Sequence, residues 1–264
     1  MSGMEISDYI GALSGQGMML VNAAYFGGLD VVVPTCPGWR ARDLLHHVGY
    51  VHRWATQYVA GQVTDVLPEL TEAEQLAAGP ADGELHDWYI EGLQALLDAL
   101  AGADPGMCAW TFLPAPSPLA FWARRQAHET AIHCADAEMA AGFRHAYPAD
   151  FAADGIDELL IGFFGRGHVA LPPDYSMSGE RTLLVRAVDA GQDWHLRLTE
   201  DGTKIIATER GSQPDHSPSC SLTGPAWGVY QLLWNRLEPS EAEVTIGGDE
   251  GILRAWRDGM RITW

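Results

Sequence analysis

The feature that most constrains the fold of this chain is an uninterrupted helical pattern over residues 117–142. Ser117 followed by Pro118 is a typical helix start, Gly142 is a typical stop, and nothing between them breaks a helix. We therefore predict one helix of about six or seven turns. One stripe of this helix holds Trp122, Arg125, Gln126, Glu129, His133, Asp136 and Ala140, and a small-residue face holds Ala123, Ala127, Ala131 and Cys134. Because little surface remains for solvent, Glu129 and His133 are predicted to point inward.

A metal ion is one way to stabilise this inward pair. A buried carboxylate at Glu129 is costly unless it is neutralised, and a neutral imidazole at His133 is a poor counter-ion. The alternative is a hydrogen-bonded Glu–His pair on the helix surface, which is the commoner use of this spacing. The zinc-protease signature H-E-x-x-H is excluded, because Ile132 stands where its second histidine belongs. Any metal site here needs a ligand from another element.

Composition limits the class of protein and its partners. The 264 residues suffice for two domains, and an apolar fraction of 47% allows sizeable cores. The net charge of −19 disfavours nucleic acid and anionic membrane surfaces as partners. The first residues lack a signal-peptide pattern, no stretch is apolar enough to span a membrane, and the four cysteines form no C-x-x-C pair. We expect a cytoplasmic protein, a monomer or small homo-oligomer, that binds small molecules.

The helical periodicity changes to strand patterns near the middle of the chain. Long helices are predicted at residues 6–26, 40–61, 84–100 and 117–142, which favours a four-helix bundle, a common place for metal sites. With a further helix at 148–164 they form a first domain, residues 1–166. Residues 165–181 are rich in turn residues and are predicted to hold the boundary. Strands and two helices then predict a small α+β domain, residues 178–264.

The second predicted helix carries three histidines. His46 lies nearly opposite its inward stripe and is predicted to be solvated. His47 and His52 flank that stripe on either side, so periodicity cannot choose which of them faces the bundle centre. Trp39, at the start of this helix, is predicted to be a core residue.

Two motifs, PTCPGWRARDLLHHVGYVHRWA and RRQAHETAIHCADAE, resemble the mycothiol-dependent maleylpyruvate isomerase family. The later stretch LTGPAWGVYQLLWNRLEP…VTIGGDEGILRAW is similar to the C-terminal domain of the same family. The resemblance implies a DinB-like metal-binding four-helix bundle followed by an α/β domain that resembles a sterol-carrier (SCP2-like) fold. It also implies a divalent metal, usually zinc, held by His47, Glu129 and His133, with mycothiol as the thiol cofactor.

Three protein ligands leave one position on zinc open, as in catalytic sites. A low-molecular-weight thiol bound there would become a thiolate, for cis–trans isomerisation of a maleylpyruvate-like dicarboxylate or for S-transfer to an electrophile. Asp136 is predicted to orient a ligand or the thiol, and Arg236 to bind a substrate carboxylate. The alternatives are a helix-surface aspartate and a simple salt bridge.

Two other functions stay open from the sequence. One is a non-catalytic protein that binds a small molecule or lipid and keeps a structural metal. The other is a biosynthetic enzyme that reuses the metal scaffold without mycothiol.

Overall fold

The chain folds into two compact units, Met1–His145 and Ala146–Trp264. The computed structural model describes residues 4–68, 70–164, 181–198, 206–208 and 217–259. The first unit is helical, and the second combines helices with a small sheet. The prediction of a helical domain followed by an α+β domain is therefore confirmed.

Five helices form the first unit: α1 (Ile6–Gly27), α2 (Ala41–Gly61), α3 (Glu72–Ala78), α4 (Asp82–Gly102) and α5 (Pro118–Ala141). The four long helices contact one another, α1 mainly along α5 and α2 mainly along α4. Helix α1 approaches α4 closely at Gly17, where an added Cβ would lie 2.6 Å from Leu93 Cδ2. Apolar side chains on these faces are fully buried, and their removal from water stabilises the packing.

Helix α5 begins and ends as the sequence predicts. The Ser117 side chain accepts a hydrogen bond from Ala120 N at 3.2 Å, and Gly142 ends the helix in the left-handed conformation. Helix α5 is buried along almost its whole length, including Glu129 and His133. Polar groups on such a helix need partners inside the unit.

The short helix α3 is not among the helices that the sequence predicts. Thr71 caps it by accepting from Glu74 N, while Glu74 accepts from Thr71 N in return. Seven residues are too few for a helical period to stand out in the sequence. The helix matters because it carries Gln75 to the site described below.

The second unit contains α6 (Ala149–Asp157), a π-helical turn (Glu158–Phe163), β1 (Arg181–Ala187), β2 (Gln192–Leu198), β3 (Ile206–Thr208), β4 (Cys220–Gly224), α7 (Ala226–Leu233), β5 (Thr245–Gly248) and α8 (Gly251–Gly259). The sheet order is β3-β2-β1-β4-β5, with β1 parallel to β4 and the other neighbours antiparallel. The Phe164 and Trp256 rings stack 4.3 Å apart.

The division between the units falls earlier than the predicted limit at residue 166. Helix α6 packs against α7 of the second unit, and Trp194 Nε1 donates to Asp157 Oδ1 at 2.6 Å. These contacts group residues 149–164 with the sheet. Most of the predicted boundary, residues 165–181, lies outside the described residues, so the limits 1–166 and 178–264 stay a prediction. Among the residues that the structure describes, no helix combines the length and apolar character needed to cross a bilayer.

Candidate metal centre

Three side chains that the family resemblance singles out converge inside the helical unit. Helix α2 supplies His47, and α5 supplies Glu129 and His133 one turn apart. Glu129 Oε1 lies 3.5 Å from His47 Nε2 and 3.3 Å from His133 Nε2. The three donor atoms all lie within 4.8 Å of one another, close enough for one cation to draw them together.

Hydrogen bonds on the far side of each ring set its tautomer. His47 Nδ1 lies 3.2 Å from Gln75 Oε1, whose amide is oriented by donation from Gln75 Nε2 to the Leu70 carbonyl at 2.9 Å. His133 Nδ1 lies 2.9 Å from a carboxylate oxygen of Asp136. Because both partners accept, each ring carries a proton on Nδ1. In the neutral rings both Nε2 lone pairs therefore face Glu129.

The donor set fits a divalent cation. Glu129 Oε1 is buried and has no hydrogen-bond partner within the described part of the chain. Burial by itself raises the pKa of the Glu129 carboxyl, but His133, His47 and Arg125 outweigh it, so that the pKa lies well below its ordinary value. Once both rings are neutral at Nε2, an ionised oxygen faces two nitrogen lone pairs, an arrangement that a cation stabilises.

Arg125 and Asp136 complete the charge balance around the centre. Arg125 Nη2 donates to Glu129 Oε2 at 3.1 Å, and both side chains are buried. Asp136 is fully buried and accepts from Thr35 Oγ1 at 2.5 Å and from Cys36 Sγ at 3.4 Å. Burial lowers the pKa of His133, but Asp136, Cys36 and Glu129 together raise it well above its ordinary value, so a cation that binds Nε2 must displace the proton from this ring.

A cavity of about 220 Å³ adjoins His47 and is lined by Gly38, Trp39, Asp43, His46, His47, Ala73 and Gln75. The Trp39 ring lies 4.9 Å from the His47 ring and is stacked 6.2 Å from the His133 ring. The prediction of Trp39 as a core residue is wrong, because this partly exposed ring covers the two histidines. Neither Trp39 nor Gln75 could be assigned to the site by sequence spacing, since both reach it from irregular or short segments.

The two other histidines of α2 lie elsewhere. His46 is only 5% exposed and packs 5.9 Å from Trp88, so its prediction as a solvated residue is wrong. His52 is fully buried, and its Nε2 lies 2.9 Å from Thr130 Oγ1. Burial lowers the pKa of His52 to about 3. His47 is therefore the α2 histidine that faces Glu129, which the helical wheel could not decide.

Arg236 belongs to the second unit, just after α7, and its Nη1 donates to the Trp234 carbonyl at 2.8 Å. Its predicted contact with a substrate carboxylate stays a prediction.

Comparisons with known proteins agree with this arrangement of domains. The family profile described as the mycothiol maleylpyruvate isomerase N-terminal domain matches residues 11–138, and the MDMPI C-terminal domain matches residues 150–255. No curated protein matches the sequence.

Two similar solved structures are crystal structures of mycothiol-dependent maleylpyruvate isomerase, one of them a histidine-to-alanine mutant. The mutant is 12% identical, with a TM-score of 0.56, over 94% of this chain and 96% of that chain. The other is 13% identical, with a TM-score of 0.53, over 88% of this chain and 91% of that chain. At these identities the similarity concerns the fold.

Proposed function

Because the chain belongs to the mycothiol-dependent maleylpyruvate isomerase family, we propose that it is a metal-dependent enzyme that uses mycothiol to isomerise a maleylpyruvate-like dicarboxylate. The observation that carries this proposal is the buried, hydrogen-bond-free Glu129 Oε1 between the Nε2 atoms of His47 and His133. Such a set is suited to zinc with one open position, as catalytic zinc sites have. When bound, the cation would lower the pKa of a thiol at that position, so that the thiol reacts as a thiolate.

The surrounding residues fix the geometry of this centre. Asp136 holds the Nδ1 proton of His133, and Gln75 holds that of His47, so both rings present Nε2. Arg125 occupies the second oxygen of Glu129 and leaves Oε1 for the cation. Trp39 covers both rings and limits the access of water. In this proposal Asp136 is a positioning residue, and it acts on the reaction through His133.

The cavity beside His47 offers room for a small ligand next to the centre. Among the described residues that line it, Asp43 is the one carboxylate and none is a lysine or an arginine. That lining disfavours the dicarboxylate and favours an uncharged part of the thiol cofactor. Arg236 stays our proposed partner for a substrate carboxylate.

Activity assays with and without mycothiol test the proposed reaction. We expect loss of the cis isomer and gain of the trans isomer only when both metal and mycothiol are present. Accumulation of a stable thioether with an electrophile would instead assign S-transfer. Turnover without mycothiol would assign a biosynthetic enzyme on the same scaffold, and a lack of turnover with all these reactants would favour a binding protein.

Metal analysis tests the proposed site independently of the substrate. His47→Ala and His133→Ala are each expected to lose the bound cation. The control His86→Ala changes an exposed histidine of the same unit and is expected to retain it. Full metal content in both site variants would rule out His47 and His133 as ligands. A fourth protein ligand would indicate a structural metal.

A further inference from the structure

A second cluster of metal-binding residue types lies at the end of α5. Cys134 and Glu138 are one turn apart on this helix, and His145 follows the Gly142 stop. The Cys134 sulfur, one Glu138 oxygen and one His145 ring nitrogen all lie within 4.8 Å of one another. Cys134 and Glu138 are buried, whereas the His145 side chain is 24% exposed. The cluster is therefore closed on the side that faces the interior of the helical unit, and solvent can reach it from the His145 side.

The His145 ring is held from two directions. Nδ1 lies 2.8 Å from each of the two Glu138 oxygens, and the His145 backbone N donates to Glu138 Oε2 at 3.2 Å. On the other side, His145 Nε2 lies 3.3 Å from the side-chain amide nitrogen of Gln16, Nε2. A half-turn of that amide would let its oxygen, which is buried without a partner within the described residues, accept from an Nε2 proton. Metal-binding histidines commonly have such an acceptor behind the ring.

The charge of the cluster also favours a cation. Glu138 is 2% exposed, and a buried carboxylate is costly without a positive partner. A divalent cation would stabilise the Glu138 carboxylate and the Cys134 thiolate together, since a coordinating thiol is deprotonated on binding.

We propose that Cys134, Glu138 and His145 bind a second divalent transition-metal ion, separate from the centre at Glu129. Thiolate, imidazole and carboxylate together suit zinc or cobalt, whereas magnesium and calcium prefer oxygen ligands alone. Tetrahedral zinc ligands lie about 3.3 Å apart, so His145 must move by a few tenths of an ångström from Glu138. Its position outside the helix permits this movement. Three protein ligands leave a position open toward solvent on the His145 side.

Cobalt spectroscopy separates the two sites, because Cys134 is a proposed ligand of this cluster whereas the three proposed ligands of the first centre include no cysteine. We would strip the full-length protein of metal, keep it reduced with a phosphine instead of a thiol, and titrate it with Co²⁺. A near-ultraviolet thiolate-to-cobalt charge-transfer band is expected in the wild-type protein. It should be lost in Cys134→Ser and in His145→Ala, with one fewer Co²⁺ bound per chain, and retained in His47→Ala.

Controls assign the band to this cysteine. Cys36→Ser changes the thiol nearest the first centre, and Cys108→Ser changes an exposed thiol; both are expected to keep the band. His145→Ala also guards against misfolding, because it alters a partly exposed side chain outside the helix and leaves the buried Cys134 intact. Absence of the band in the wild type, or its persistence in either Cys134→Ser or His145→Ala, would overturn the proposal and leave only a hydrogen-bonded pair of His145 and Glu138. Neither result depends on the reaction proposed above.

Discussion

His133 Nδ1 lies 2.9 Å from Asp136 Oδ2, a contact that turns His133 Nε2 toward Glu129. We predict that Asp136→Asn weakens binding of Zn²⁺ about 10- to 100-fold, because the ring loses the carboxylate that fixes its tautomer and raises its basicity. Competition with a chromophoric chelator measures the affinity. Asp98→Asn, which changes an exposed aspartate bound to Gln94, serves as the control. Equal affinities in Asp136→Asn and the wild type would contradict a positioning role for Asp136.

The buried pair of Arg125 and Glu129 links metal binding to stability. Arg125→Met leaves the Glu129 charge without its guanidinium partner, and loss of one member of a buried pair costs roughly 3–5 kcal/mol. We expect this loss in the free energy of unfolding of the metal-free protein and a clearly smaller loss with Zn²⁺ bound. Chemical denaturation of both forms measures the difference.

Arg42→Met is the matched control for that experiment. Arg42 pairs with Asp30 and Asp82 near the surface, where such pairs contribute about 0–1 kcal/mol. We expect a small change that is independent of metal. An identical stability loss for Arg125→Met with and without Zn²⁺ would show that Glu129 does not bind the cation.

The length and both ends of α5 follow from its sequence, because Ser117, Pro118 and Gly142 act locally. The inward direction of Glu129 and His133 follows from the lack of a polar face on the same helix. The choice of His47 over His52 does not follow, since both flank the buried stripe of α2. It depends on how α2 lies against α5, which brings the His52 ring to Thr130 instead.

The residues that contact the three candidate ligands cannot be predicted from periodicity either. Thr35, Cys36 and Trp39 lie in an irregular segment before α2, and Gln75 lies in a helix of two turns. Their positions are set by tertiary packing, which a helical or strand repeat does not encode. The helical periodicity of α2 predicts that His46 faces solvent, yet α3, α4 and their connection cover it.

His52 is predicted to make the stability of the protein depend on pH. Its pKa is about 3 in the folded protein because of burial, against an ordinary value of 6.5. Between these values the unfolded chain binds a proton at His52 that the folded protein does not. This group therefore lowers the free energy of unfolding by about 1.4 kcal/mol for each pH unit below 6.5, down to about pH 3. Above pH 6.5 the ring is neutral in both the folded and the unfolded state, and the loss of stability disappears.

Urea denaturation of His52→Gln at several pH values measures this contribution, since glutamine does not titrate. We expect a shallower fall in stability on acidification than in the wild type. His86→Gln, at an exposed position, should retain the wild-type slope. Parallel curves for His52→Gln and the wild type would mean that His52 is not held neutral by burial.

Trp39 is predicted to slow the exchange of the bound cation. Its ring covers the His47 and His133 rings, so Trp39→Ala opens a path for water and chelators. We expect faster extraction of Co²⁺ by a chelator in Trp39→Ala, and an intermediate rate in Trp39→Phe, which keeps an aromatic cover. Trp88→Ala changes a tryptophan that packs on His46 and Arg53 and should leave the rate unchanged. Equal extraction rates in all four proteins would exclude a shielding role.

Anomalous diffraction at the zinc absorption edge, from crystals of the zinc-loaded protein, tests the central claim most directly. The account predicts an anomalous peak bound by His47 Nε2, Glu129 Oε1 and His133 Nε2, at about 2.0–2.2 Å from each. It also predicts that the remaining position is open to solvent or thiol. Zinc-loaded crystals without a peak between these three atoms, or with a fourth protein ligand closing the site, would contradict it.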